Sequence, residues 1–360
     1  AIWYSFYRTR ALATLSAANL AFNSLPTSIR LTWQTLNSCT TLNSSGCGTN
    51  YFRKFSDQHR GNFFTWLTGV PFVDGTSLRL AMSRAGEFLK TSDAWAYDPN
   101  PFTSSGGRGT TVQSPTYACR PSYQIMMTDG MWNGDNGSTS ATLKPDQNNT
   151  TLPDSKTYSK QAPFNDATQN TLADLAFHYW ATDANTSLDN DVKPLLVAPN
   201  TSDATAEYWD PRNDPATWQH LVNYTIGLGL TSALDKPGIP WSGDTYGGAG
   251  YTALKNGTAW PAASADSANN VYDLWHTAIN SRGEFFSADS PDKIVEAFRT
   301  IINRISNRTA SASAPGVTAS VVEDTITREV YETQFNSEDW SGNLIKYTID
   351  SNVARTQSWD

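Results

Sequence analysis

Apolar residues along this chain switch repeatedly between helical and strand spacing, and the switching sets out an ordered series of elements. Tyr4, Tyr7, Ala11, Leu15, Ala18 and Phe22 share one helical face, and Pro26 closes that segment. Ile29 to Leu36 alternates and holds β-favouring residues, which predicts a strand. After a polar excursion over 37–60, residues 62–90 predict a short aromatic helix, a turn at Asp74-Gly75-Thr76, and a second helix. Leu78, Met82, Ala85 and Leu89 lie on one face of that second helix. Residues 91–120, rich in Gly, Ser, Pro and Thr, read as an insertion. Tyr123 to Thr128 is then an apolar run of strand length that stops at Asp129-Gly130, and a further polar insertion reaches residue 170.

Leu172, Leu175, Ala176 and Tyr179 mark the next helix, and 183–216 is acidic and loop-like. Leu221 to Leu230 predicts a strand whose Val222, Tyr224, Ile226 and Leu228 face one way. Gly227 and Gly229 on the other side are small enough for a helix to pack closely. A helix with Val271, Leu274 and Ala278 follows, then a short strand at Glu284 to Ser287. Ser290-Pro291 opens a last helix with a capping hydroxyl and a proline at its first position, and Ile294, Val295, Phe298, Ile301, Ile302 and Ile305 form its apolar face. Strand and helix in alternation predict an α/β fold, a mostly parallel sheet with helices on both faces and long insertions. The pattern changes at Thr309. Residues 309–316 read as a small-residue linker after a 1–308 α/β domain. Val317 to Tyr331 and Leu344 to Ile349 read as strands with no helix between them, so 317–360 is expected to begin an all-β domain. The chain opens directly in a helical pattern without a signal peptide and closes without a cap, so it is expected to belong to something longer.

Composition narrows the function classes. At 360 residues the chain can bury a sizeable core, and 13 Trp, 15 Tyr and 15 Phe argue against disorder. A formal charge of -8 disfavours a nucleic-acid footprint, which needs a basic stripe. No continuous apolar run approaches the roughly 20 residues that cross a bilayer. Low charge and abundant Asn, Ser, Thr and Gly suit a secreted or cell-surface protein. Cys39 and Cys47 flank a Gly/Ser/Asn-rich segment and are expected to pair in an oxidising compartment, which leaves Cys119 odd.

Asp129 falls where open parallel sheets bind ligands, beyond the carboxyl ends of the strands. With the hydroxyl-bearing turn at Asp74-Gly75-Thr76 it resembles the third and second metal-binding loops of a von Willebrand factor A domain. Longer segments resemble the PilC/PilY family of type IV pilus biogenesis and adhesion proteins. These are Tyr123 to Asn133, Asp214 to Leu221 with Tyr224 to Gly229, Leu274 to Asn280, Arg282 to Ala288, and Trp340-Ser-Gly-Asn-Leu344. They run in order from residue 60 to the end.

That resemblance implies a secreted, non-enzymatic adhesin or assembly factor at the pilus. It implies a von Willebrand A-like domain followed by a calcium-regulated β-propeller, whose opening Trp340 to Leu344 is similar to. Its implied partners are minor pilins of the pilus tip complex and a host or abiotic surface. By the same resemblance Thr76 and Asp129 would help hold Mg²⁺ or Ca²⁺, hard cations that prefer such oxygens. The first loop of that site, Asp-x-Ser-x-Ser, does not occur in these 360 residues, so the cation is expected only in a longer protein. The plainer alternative makes Asp129 a turn former and Thr76 a cap for the following helix. A second functional alternative is a structural adaptor between minor pilins and the propeller, with a vestigial metal edge.

Other motifs are weaker. Asp183-x-Asn-x-Ser-x-Asp-x-Asp191 alternates like a calcium loop, but Leu188 and Pro194 stand where an EF-hand needs Gly and Glu. His59, His178, His220 and His276 show no metal spacing, and no Gly-x-Ser-x-Gly elbow accompanies the Ser, His and Asp present. A carbohydrate-active enzyme has only aromatic and acidic composition behind it. Trp132, Trp209, Trp241 and Trp260 read either as a glycan- or surface-binding face or, the favoured reading, as pins for the insertions.

Overall fold

The computed structural model describes residues 8–72, 75–98, 112–133, 143–309, 316–322, 325–336, 341–349 and 355–359. Helix α1 (Arg10–Asn23) starts at Thr9, whose hydroxyl accepts from the Leu12 amide at 3.2 Å. The strand expected over 29–36 shrinks to β1 (Arg30–Leu31), paired antiparallel with β2 (Arg53–Lys54). Its continuation gives up the sheet because side chains take its carbonyls. Asn50 Nδ2 donates to Trp33 O at 2.6 Å, and Arg84 Nη2 donates to the carbonyls of Thr35 and Leu36 at 3.2 and 3.0 Å. Between β1 and β2 a disulfide joins Cys39 to Cys47, with their Cα atoms 5.3 Å apart.

Helices α2 (Asp57–Thr68) and α3 (Leu78–Leu89) follow. Next come an antiparallel pair, β3 (Ala96–Asp98) and β4 (Val112–Thr116), and then β5 (Ser122–Thr128). The second insertion holds a small ribbon of β6 (Thr150–Thr151) and β7 (Thr157–Tyr158). The remainder runs α4 (Leu172–Ala181), α5 (Ala204–Trp209), β8 (Leu221–Leu228), α6 (Gly248–Lys255), α7 (Asn270–Asn280), β9 (Phe285–Ala288) and α8 (Pro291–Thr309).

Strands β5, β8 and β9 form a parallel sheet in that order, with Ser122 opposite Leu221 and Thr225 opposite Phe285. Their carboxyl ends, Thr128, Leu228 and Ala288, therefore share one edge. Every residue of β8 is buried, which marks the centre of a sheet covered on both faces. Its polar residues face helix rather than water. Thr225 Oγ1 donates to Leu274 O of α7 at 2.8 Å, and the Asn223 amide donates to Ser281 Oγ at 3.1 Å. The close helix approach expected at Gly227 does not occur there, because a Cβ would meet Leu230 and Phe285 at ordinary contact distance. Gly229 is instead a turn residue, with φ +67 and the Arg10 guanidinium 3.1 Å from where a Cβ would stand.

Helix α4 is the centre of the main core, buried almost all round between α3 and α7, with Trp180, Trp218, Tyr272 and Trp275 fully enclosed nearby. Helices α3 and α4 approach so closely that a Cβ on Gly86 would lie 2.3 Å from the Tyr179 ring. The tryptophans pin the insertions. Trp260 Nε1 donates to Pro163 O at 2.7 Å, and the Trp241 ring lies 4.8 Å from that of Trp275. Phe22, Phe63 and Phe298 join α1, α2 and α8 at ring-centre distances of 5.0 and 5.6 Å.

The chain divides into two compact units, Ala1–Ile302 and Asn303–Asp360. The second contains an antiparallel meander of β10 (Gly316–Val322), β11 (Thr325–Asn336), β12 (Ser341–Ile349) and β13 (Arg355–Trp359). Most of the linker read at 309–316 lies outside the described residues. Among the described residues no helix is long and apolar enough to cross a membrane.

Two glycines test the packing argument. Gly86→Val should lower stability by about 1–3 kcal/mol in chemical denaturation, because Tyr179 must move for the added atoms. Gly61→Ala on α2, where nothing lies within 4 Å of the new methyl, should raise stability by roughly 0.5–1 kcal/mol. Equal effects at the two positions would contradict the packing described.

Candidate functional site

Asp129 stands at the carboxyl end of β5 and is exposed, while Thr76 is half-buried in the turn before α3. The structure brings their loops together, since a Cβ on Gly130 would lie 3.7 Å from Thr76 Oγ1. Asn133 locks the two loops reciprocally. Its amide donates to Thr76 O at 3.0 Å, and its side-chain oxygen accepts from the Thr76 amide at 2.7 Å. Gly75 has to be a glycine here, because a Cβ would lie 2.6 Å from Asn133 Oδ1. Asp74 lies outside the described residues.

Asp129 stands in the bend that follows β5, and Thr76 does not take the capping role foreseen for it. Ser77, not Thr76, occupies the N-cap of α3, and its hydroxyl donates to Asn37 Oδ1 at 2.8 Å. The turn after β5 is closed by Thr128, whose hydroxyl accepts from the Gly130 amide at 3.2 Å. Among the described residues, no hydrogen bond or ion pair engages the Thr76 hydroxyl or the Asp129 carboxylate at this sheet edge. Two oxygen donors fall well short of the six to eight that Ca²⁺ takes. Among the described residues no group of three or more His, Cys, Asp or Glu side chains is placed to hold a metal.

What positions this edge was not visible in the sequence. Trp132 Nε1 donates to Asp273 Oδ2 at 2.8 Å, and the same carboxylate accepts from the amides of Leu172 and Ala173, each at 3.0 Å. Asp273, on α7, therefore caps α4 from another helix while holding the loop that carries Asp129. Arg79 stacks on the Trp132 ring at 4.0 Å from the other side. Trp132 is a buried anchor and lines no exposed face.

Beneath the edge lies a buried acidic network. Thr171 and Asp174 form a capping box at the start of α4, and Asp174 hydrogen-bonds Asp146. Among the described residues the Oδ1 oxygens of both carboxyls meet no donor, and a proton retained by the pair would satisfy both. Burial is the main cause that pushes both carboxyls above the ordinary range; the Asp146 charge raises Asp174 further, and the Asp166 charge raises Asp146. His276 Nδ1 stands 3.6 Å from Asp166 Oδ2, and its Nε2 lies 2.7 Å from Phe164 O. Burial works against a charge on His276, but Asp166 and Asp146 outweigh it, so its pKa is also raised.

No family model and no solved structure matches the chain. Three curated relatives do, each named "Type IV pilus biogenesis factor PilY1" and each from Pseudomonas aeruginosa. The PAK protein is 51% identical over 372 residues, spanning 99% of this chain. The PAO1 protein is 49% identical over 375 residues, and the UCBPP-PA14 protein 48% identical over 371. The fold described above is thus that of a chain whose relatives are named as type IV pilus biogenesis factors. The chain belongs to the PilC/PilY family. It spans 31% of the length of the PAK relative.

The network sets a pH dependence. Asp146 and Asp174 hold on to protons that the unfolded chain releases near about pH 4, and His276 holds one released near about pH 6.5. These contributions are complete below the unfolded values and fall as pH rises through the folded ones. Asp174→Asn, which retains a donor toward Asp146 without the ionisation, should flatten the loss of thermal midpoint between pH 5 and pH 8. An unchanged slope would show that the pair holds no shared proton.

Proposed function

We propose that this chain is the sheet-bearing part of a type IV pilus-associated adhesin and assembly factor, acting by binding rather than by catalysis at the cell surface. The observation that carries the reading is the pair of uncommitted oxygens, Thr76 Oγ1 and Asp129, on adjoining loops at the sheet's carboxyl edge, in a chain whose relatives are named as pilus biogenesis factors. In the von Willebrand A-like interpretation these two residues supply the second- and third-loop ligands of a Mg²⁺ or Ca²⁺ site. A protein that also carries the Asp-x-Ser-x-Ser loop would complete the coordination. The cation would present an open position to a partner's carboxylate. Minor pilins at the pilus tip and a host or abiotic surface are the proposed partners, with the meander over 316–359 as the start of a propeller.

A structural-adaptor reading has its own support. The Arg10 guanidinium stands beside Gly229 just beyond the end of β8, which would put a cation at that edge without a metal. The two readings differ in what Asp129 does.

In a version extended upstream to include the first loop, Mg²⁺ or Ca²⁺ should raise the thermal midpoint, and EDTA should reverse the gain. The gain is set by the cation concentration relative to its dissociation constant. Asp129→Ala should abolish it and reduce pilus-dependent attachment. A midpoint insensitive to metal, with normal attachment by the variant, favours the adaptor. Unchanged piliation and attachment after removal of the gene would sink both.

A further inference from the structure

Helix α7 ends in a hydrogen-bonding pattern that normally requires glycine. The Arg282 amide donates to Ile279 O at 3.2 Å, and the Gly283 amide donates to Ala278 O at 2.8 Å. These are the paired 5→2 and 6→1 bonds of a Schellman ending. Its left-handed position is filled by Arg282 at φ +65. A residue with a Cβ is strained there. The local turn gives no reason for an arginine, so the reason lies with its side chain.

That side chain runs inward. Arg282 is only 6% exposed, and its guanidinium carbon stands 4.2 Å from the ring centres of both Phe164 and Trp180. None of its three nitrogens meets a protein acceptor. Asp214 is the carboxylate that acts on it most, but Asp214 Oδ1 accepts from Trp180 Nε1 at 3.1 Å and its Oδ2 lies 3.0 Å from His220 Nε2. The nearby hydroxyls point their protons elsewhere, Tyr158 to Asp146 O and Tyr208 to Asp154 Oδ2. Two aromatic rings thus stack on the cation, and its N–H groups are left to be satisfied from elsewhere. A neutral acceptor such as water would answer the hydrogen bonds but add nothing to the one carboxylate, Asp214, that offsets the charge from a distance.

We propose that Arg282 is the core of a buried site for one small monovalent anion of the halide class, chloride under ordinary conditions. The anion would accept in-plane bonds from the guanidinium edge and neutralise it between α4 and the end of α7. At 6% exposure Arg282 favours the smallest anions over polyatomic or chain-borne carboxylates.

The test compares thermal midpoints of the 360-residue chain in sodium chloride and in sodium gluconate at equal ionic strength. The wild type should show a midpoint gain that saturates with chloride. Arg282→Gly, which suits the left-handed position and so folds, should lose that gain, and Arg282→Lys, which keeps the charge without the fork, should reduce it. Crystals grown in sodium bromide should give an anomalous peak within hydrogen-bond reach of the guanidinium. Equal midpoints in the two salts, a chloride gain that persists in Arg282→Gly, or no bromide peak at Arg282 would each overturn the proposal.

Discussion

The carboxylate of Asp273 holds three parts of the first unit in register. It sits in α7, accepts from the side chain of Trp132 beyond β5, and takes the first two amides of α4. Helix starts leave four amides without intrahelical partners, and a buried start must find acceptors elsewhere. Here α4 finds them in Thr171, Asp174 and Asp273, so a helix buried almost all round is capped from within and from its neighbour. Burial raises the pKa of Asp273 even against these donors, which shows how dry the site is. Removing the carboxylate would strand an indole N–H and two backbone amides in that interior, at about 1–3 kcal/mol for each unsatisfied group.

The edge carrying Thr76 and Asp129 is a consequence of this clamp. Trp132 fixes the loop after β5, and Asn133, next in sequence, fixes the loop before α3 to it. Asn133 Nδ2 also donates to Asp266 Oδ1 at 2.8 Å, tying in the segment ahead of α7. The two candidate ligands are therefore held by a polar scaffold whose members are committed, while their own oxygens are not. A binding site needs that division of labour, because ligands must be both pre-positioned and available.

Much of the fold was legible in the pattern. Six helices and the three strands of the parallel sheet fall where apolar spacing places them, because each depends on residues within a few turns of each other. The failures have local causes of a different kind. The strand from Ile29 stops early because Asn50 and Arg84 take its carbonyls, and neither residue is near it in sequence. Glycine was read as helix clearance at Gly227, whereas the tight helix contact is at Gly86. Gly86 shows no special signal, because its partner Tyr179 lies on another helix. Of the site, sequence supplied Thr76 and Asp129 through a resemblance, and it supplied neither Asn133 nor Asp273.

The sequence by itself determined the order and type of the elements and the family to which the chain belongs, since periodicity and motif are carried by neighbouring residues. Only the tertiary structure decided which polar groups are satisfied and which are left over. Trp132 and Asp273 are 141 residues apart, and nothing in either neighbourhood announces the other. Arg282 looks from the sequence like an ordinary surface arginine after a helix. Its burial between Phe164 and Trp180 comes from packing three distant segments together, and only that packing turns a common side chain into a charge that needs a partner.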